Sequence, residues 1–391
     1  MEHVFFCTGH ELKIKNAVKA EGLYITDDQE RKYLDLESGV WCTSIGHGNP
    51  YVNDAVKEQI DKLIHAGFCY SSEIMEYAAK ELLRVAGMED GKCVFLCSGS
   101  EGVEVTRQMS RTLTGRGLSM TLHDSYLGSY SSLSEESGGW FLLDWERCKN
   151  CPVQQTCDET CHLFAEVPED ISEFIFEPGS SSGLVNFPPE KMIENLADKV
   201  RALGGKVIVN EVTTGVGRTG KWFGFQHYRM EPDFIAVGKG IGNGYPVSAA
   251  LLKGEDAEKL LDKGFHYSQS HQNDPLGASV VFSVIRFIEN SDLVTHATVC
   301  GDYLYKELEG LVDGKLVTEH RGRGLMHVLE FADPAMVQRV YSELIEKGYI
   351  VGNRGRALRI DPPLIIEQNE LEVFLDVFRD VLMGLSDTKP A

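Results

Sequence analysis

Lys239 ends a short apolar run, Phe234-Ile-Ala-Val-Gly-Lys239, and is followed at once by Gly240-Ile-Gly242-Asn-Gly244-Tyr245-Pro246. A lysine that loses its proton near neutral pH is a nucleophile and a general base, and flanking glycines let the backbone pass close to a bound group. The alternative is an ordinary surface lysine at a strand end. A second grouping is Cys97-Ser98-Gly99-Ser100-Glu101, a small turn between an apolar run and a helical pattern. Such a turn presents backbone N–H groups at a helix N-terminus and suits an anion, with the Ser98 and Ser100 hydroxyls as further donors; it also reads as a plain helix cap. The third is Cys148-x2-Cys151-x5-Cys157-x3-Cys161. Four thiolates at short spacing can close a tetrahedral zinc site, and an iron–sulfur cluster is less expected from this spacing. Disulfides are the alternative and need an oxidising compartment.

Alternating apolar strands and amphipathic helices position these groups. Cys93–Leu96, Leu118–Leu122, Glu173–Phe176, Lys206–Val209, Asp233–Val237 and Val247–Leu252 read as strands. Residues 50–64, 73–86, Glu101–Thr112 and Pro189–Leu203 read as helices. That alternation predicts an α/β fold, a mostly parallel sheet covered by helices on both faces. Ser98, Ser100, Glu177, Asn210 and Lys239 then follow the carboxyl ends of strands, where open α/β sheets bind ligands. From about residue 275 longer helices and a few short strands take over. We expect a large domain over 46–285, carrying a cysteine-rich insertion at 145–165, and a smaller α+β domain built from both chain ends, 1–45 and 286–391.

The chain has 391 residues, enough to bury a substantial core without disulfides or metals. A formal charge of −21 makes nucleic acid and anionic membranes poor partners. No stretch is apolar enough to span a membrane. Met1–Cys7 lacks a basic region followed by an apolar core, so the expected location is the cytoplasm.

The Lys239 run and the segment Lys206-Val-Ile-Val-Asn210-Glu211-Val212-Thr213-Thr214-Gly215 together resemble the class III aminotransferases, of the ornithine and acetylornithine type. The resemblance implies pyridoxal-phosphate fold type I, a homodimer, and amino-group transfer between an amino acid or amine and a 2-oxo acid. Lys239 would form the Schiff base and move the proton. Gly99 and Ser100 stand where that family holds the cofactor phosphate, with Ser98 beside them. Ser270, in Ser268-Gln-Ser270-His271-Gln272-Asn273-Asp274-Pro275-Leu276, keeps the hydroxyl that a partner subunit would add to the phosphate. Tyr126 would stack on the pyridine ring, Val212 would pack on its other face, and Glu177 would lie in the cofactor site. Arg359, in Arg359-Ile-Asp-Pro362-Pro363-Leu364, would hold the substrate carboxylate with its planar fork, or form a structural salt bridge. Trp41 reads as a substrate-pocket residue or as core.

Two of this chain's departures from the family pattern bear most directly on the reaction and its substrate. The family has an aspartate where Asn210 stands, and the amide offers the ring nitrogen a hydrogen bond without a balancing charge. A weaker electron sink favours a racemase or epimerase as the second reading. A glutamate that neutralises the arginine in the ornithine-type enzymes would fall at Ser182, and is missing there. The cysteine run lies outside the resemblance and reads as a structural clip, with a structural Zn²⁺ as its metal. It also motivates a remote third reading, a metal- or redox-responsive binding protein on this scaffold.

Overall fold

The computed structural model describes residues 3–7, 12–134, 138–158, 160–180 and 182–386; the ends of the expected small domain, residues 1–2 and 387–391, lie outside these. The N-terminal strands are β1 (Ala17–Glu21), β2 (Tyr24–Asp27) and β3 (Lys32–Asp35). The central strands are β4 (Lys92–Leu96), β5 (Leu118–Leu122), β6 (Trp140–Leu143), β7 (Ile171–Phe176), β8 (Lys206–Asn210), β9 (Phe234–Val237) and β10 (Ser248–Leu252). They form one seven-stranded sheet in the order β4-β10-β9-β8-β7-β5-β6. The strands from β9 through β6 run parallel, and β10 runs antiparallel to both of its neighbours. Every residue of β7, β9 and β10 is buried. Continuous apolar runs of this kind are what a sheet covered on both faces requires.

Covering helices show a matching stripe. In Glu190–Ala202 the buried residues are Met192, Ile193, Leu196, Ala197 and Val200, one face at helical spacing. The edge strand β6 was not among the strands read from the sequence; it pairs with β5 alone, and three of its four residues are only half-buried.

The last strands are β11 (Val317–Arg323), β12 (Met326–Phe331), β13 (Tyr349–Ile350), β14 (Gly352–Arg354) and β15 (Ala357–Ile360). An antiparallel sheet joins β11-β12-β15-β14, while β13 lies parallel to β3 and ties the C-terminal part to the N-terminal strands. Among the described residues no helix is long and apolar enough to cross a membrane.

Directly after β3 the chain makes a left-handed turn. Ser38, Gly39, Val40 and Trp41 have φ of 52°, 55°, 59° and 63°. Only glycine visits this region freely, and each other residue costs roughly 1–2 kcal/mol there. Tertiary bonds hold it. The Asp35 carboxylate accepts from the N–H of Glu37 at 2.9 Å and of Gly39 at 2.8 Å. The Ser38 hydroxyl donates to the Asp361 carbonyl at 2.5 Å and accepts from Arg218 Nη2 at 3.1 Å.

Candidate active site

Four strand ends of the central sheet and the left-handed turn converge on Lys239. Its Nζ donates to Thr213 Oγ1 at 2.9 Å and lies over the Trp41 ring, 4.8 Å from the centroid. Burial lowers the pKa of the amine, against the opposing pull of Cys42, Glu177 and Asp361. A buried amine that gives up its proton readily can act as nucleophile and base. Lys239 itself has φ 45°, so its backbone is held in the left-handed region at the point where the side chain enters the site.

The turn after β4 forms a cradle whose shape depends on missing side chains. A Cβ on Gly99 would come 2.4 Å from Val212 Cγ1, and one on Gly238 would come 3.1 Å from the Gly99 Cα. Gly99 opens the helix Gly99–Thr114, whose first-turn N–H groups have no intrahelical acceptor. Ser98 is the N-cap, its hydroxyl accepting from the Glu101 N–H at 3.2 Å, and its carbonyl accepts from the Ser248 hydroxyl at 2.7 Å. Ser100 Oγ accepts from the Ser129 N–H at 2.9 Å, which leaves its proton for another acceptor. These glycines, N–H groups and hydroxyls fit a phosphate.

Asn210, at the end of β8, is buried and hydrogen-bonded on both sides. Its Oδ1 accepts from the Val212 N–H at 3.2 Å, which fixes the amide orientation. Its Nδ2 therefore points at Glu177 Oε1 and the Tyr126 carbonyl, each at 3.3 Å. Glu177 Oε2 accepts from the Tyr126 N–H at 2.7 Å, so Asn210, Glu177 and Tyr126 form one linked unit. The Tyr126 ring is half-exposed, with its hydroxyl 2.9 Å from Ser129 Oγ.

Arg359, on β15, is buried beside this centre. Its guanidinium lies 4.2 Å from the Trp41 ring centroid on one side. Gly352 of the neighbouring strand is also close, and a Cβ there would come 2.6 Å from Nε and Nη2. Nη2 donates to Glu37 Oε1 at 3.1 Å, and Nε has no hydrogen-bond partner among the described residues. The nearby Asp361 carboxyl is pushed up to about 6 by burial, against the pull of Arg359 and Arg218. Ser182, where the sequence suggested a missing counter-charge, lies against Ser180 Oγ at 3.5 Å. The arginine is nonetheless neutralised, by Glu37. The sequence reading did not reach Glu37, although alternation in Leu34-Asp35-Leu36-Glu37 places it on one face with Asp35.

Two expected groups are not brought into such a centre. Ser270 is exposed on a segment that packs against β4 through Asn273, whose Oδ1 accepts from the Phe95 N–H at 2.9 Å. All four clustered cysteines are free thiols. Among the described residues, the one group of three or more metal-ligating side chains with donor atoms within 4.8 Å of one another is His65, His271 and Asp274. Cys148, Cys151, Cys157 and Cys161 are thus not drawn into a tetrahedral shell, whose sulfurs would lie closer than that. They do share one region: burial and then Cys161, Cys157 and Cys151 push the Cys148 thiol up to about 11.

The sequence profile of the class-III aminotransferases matches residues 8–135 and 144–382. The match includes the cysteine run, contrary to the expectation that the resemblance would skip it. Acetylornithine aminotransferase of Aquifex aeolicus is 30% identical over 372 residues, covering 93% of this chain and 96% of that protein. Leucine/methionine racemase of Thermococcus litoralis is 30% identical over 394 residues, covering 92% and 88%. Among solved structures, the taurine:2-oxoglutarate aminotransferase of Bifidobacterium kashiwanohense, in complex with PLP and glutamate, superposes with a TM-score of 0.90 at 24% identity, covering 99% of this chain and 96% of that one.

Proposed function

We propose, from the premise that this chain belongs to the class-III aminotransferase family, that Lys239 is the catalytic lysine and Arg359 the substrate-carboxylate site. The chain is a pyridoxal-phosphate-dependent aminotransferase of fold type I. The observation that carries the residue assignment is the buried Lys239 amine, set beside a glycine cradle at the ends of β4, β8 and β9.

Bound there, pyridoxal phosphate would supply the electron-withdrawing ring that acidifies the substrate Cα proton. Gly99 and Ser100 would hold its phosphate, Val212 and Tyr126 its ring, and Asn210 its ring nitrogen, with Glu177 fixing Asn210. Lys239 Nζ, held by Thr213 Oγ1, takes and returns the proton at Cα. Arg359 fixes the carboxylate, and Trp41 walls the pocket between the two cations.

A second reading, amino-acid racemisation, is supported by Asn210, whose neutral amide leaves the ring a weaker electron sink. The test is one experiment on purified holoenzyme. Borohydride reduction and peptide mapping should place the cofactor on Lys239, and a panel of amino acids should show amino transfer to a 2-oxo acid. Label on another lysine overturns the site; loss of chirality without transfer establishes the racemase reading.

The same proposal includes a homodimer. Its support is a run of exposed apolar side chains, Ile60, Leu63, Ile64, Phe68, Tyr70 and Tyr77, and the exposure of Ser270, whose position in the family resemblance is that of a phosphate contact given to a partner subunit. The division into a large unit at 46–285 and a small one from both ends is supported by sheet membership. The free thiols support a reducing, cytoplasmic setting. The short spacing of the four clustered thiols along the chain supports a structural zinc ion, and binding one would require their sulfurs to close from their present positions around it.

A further inference from the structure

We propose that His65, His271 and Asp274 form a binding site for a divalent cation of the zinc class, apart from the cysteine run and outside the Lys239 centre. The site joins a residue just beyond the helix Pro50–Lys62 to two residues of the segment that leads into the helix Pro275–Asn290.

The donor atoms already stand near the spacing of a metal shell. His65 Nδ1 lies 3.4 Å from Asp274 Oδ1, and His271 Nδ1 lies 2.9 Å from Asp274 Oδ2. One donor atom from each of the three residues lies within 4.8 Å of the other two. Neighbouring ligands of a tetrahedral zinc, at bonds of about 2.0–2.1 Å, stand about 3.4 Å apart, so closure needs only side-chain adjustment. The donors also choose the metal. Mg²⁺ and Ca²⁺ take oxygen ligands, whereas two imidazoles with one carboxylate suit zinc and its transition-metal neighbours. Without metal, each Nδ1–H donates to one oxygen of the carboxylate. On binding, each neutral ring carries its proton on Nε2 instead, so the exchange is balanced without net proton release.

Asp274 adds an independent sign. It is the N-cap of the helix Pro275–Asn290, where an aspartate ordinarily accepts from first-turn N–H groups, yet its side chain makes no cap bond. The carboxylate forgoes the cap and gives one oxygen to each imidazole. The segment that carries it is anchored on β4: the Asn273 N–H donates to the Phe95 carbonyl and Asn273 Oδ1 accepts from the Phe95 N–H, both at 2.9 Å. A cavity of about 180 Å³, with Cys97, Tyr245, His271 and Asp274 in its wall, leaves room for water at a fourth position. Both imidazoles are exposed, so the metal exchanges with solvent and the site loads when metal is supplied, whereas a closed four-thiolate site would retain its ion.

Ser270 immediately precedes His271. A cation that ties His271 and Asp274 to His65 would fix the segment whose hydroxyl the homodimer reading gives to a partner's cofactor phosphate. Metal occupancy would then slow cofactor release. This consequence rests on the homodimer reading; the cation site does not.

The experiment titrates desalted holoenzyme with Co²⁺, followed by visible absorption and by calorimetry. About one Co²⁺ per chain should bind with ligand-field bands but without the sulfur-to-metal charge-transfer band of a thiolate site. Asp274→Asn keeps the shape and His271→Gln keeps a hydrogen-bonding group. Each should weaken this binding by at least the roughly 10–100-fold that losing even an outer-shell partner costs. A trio that is only a hydrogen-bond network would bind no Co²⁺ without the sulfur band, or would bind it equally in all three proteins, and either result overturns the site. If the variants do not fold, diethyl pyrocarbonate modification of the native holoenzyme decides: Zn²⁺ should protect His65 and His271, as read by peptide mapping, and unchanged modification overturns the site. Cofactor release timed with and without Zn²⁺ separates the two readings, because metal binding with unchanged release upholds the cation site and refutes the role given to Ser270.

Discussion

Placing an aspartate at position 210 should unsettle this protein, because Asn210 faces a carboxylate. Asn210 Nδ2 lies 3.3 Å from Glu177 Oε1 and 3.3 Å from the Tyr126 carbonyl. Asn210→Asp removes two donors and sets two carboxylates against each other. Two unit charges 3.3 Å apart repel by about 5 kcal/mol at an effective dielectric constant of about 20. Divided by about 1.4 kcal/mol per pH unit, that is enough to hold one proton on the pair up to about pH 7. The folded variant then binds more protons than the unfolded chain, whose carboxyls titrate near pH 4. Its stability must therefore fall as pH rises from about 4 to about 7. The assay is urea unfolding of the cofactor-free protein at pH 5 and pH 8. The stability gap between variant and native protein should widen by about 3 kcal/mol between these pH values. Adding Glu177→Gln should close most of it, since one amide can accept from the Tyr126 N–H and donate to the carboxylate introduced at position 210. A gap that does not change with pH, or that the second substitution leaves open, refutes the argument.

Gly99→Ala should weaken pyridoxal phosphate binding and cost about 1–3 kcal/mol, because its Cβ would sit 2.4 Å from Val212 Cγ1. Val212→Ala in the same chain should recover the stability, as read by thermal unfolding with and without cofactor. Val40 is half-exposed and β-branched at φ 59°, so Val40→Asn should raise the melting temperature by relieving about 1 kcal/mol of backbone strain; an unchanged or lower value would mean that the turn is not strained there. Elemental analysis should find about one zinc per chain, lost together in Cys148→Ser and Cys157→Ser. Metal-free protein with four titratable thiols would dispose of the zinc site.

Local chemistry made Lys239, Gly99 and Arg359 legible before the fold was known. A lysine among glycines after an apolar run, or an arginine before paired prolines, carries its signal in adjacent residues. What governs those groups is not local. Glu37 meets Arg359 across most of the chain's length, and no pattern near residue 359 announces it. The bonds that bind Asn210 to Glu177 and Tyr126 join three separate strand ends. The left-handed turn contradicts its own sequence, since Val40 and Trp41 disfavour positive φ. Asp35 and Ser38 impose it through contacts that exist only after folding. β6, Trp140-Phe-Leu-Leu143, escaped because an apolar run of only four residues does not distinguish a strand from a buried helix segment or loop anchor.

The reversed strand β10 has a consequence for the order of assembly. Val237 pairs with Ala249 across the short glycine loop that carries Lys239, whereas Leu96 must find Ser248 from far up the chain. Antiparallel neighbours joined by a short loop close quickly, and distant strands wait for long-range closure. The lysine loop thus belongs to an early, local hairpin, and the phosphate turn after β4 docks onto it later through the Ser248–Ser98 bond. In pulse-labelled hydrogen exchange during refolding, amides of β9 and β10 should gain protection before those of β4. A cofactor added to the refolding chain would then act on the late step, the arrival of β4, and speed completion without changing the first protected strands.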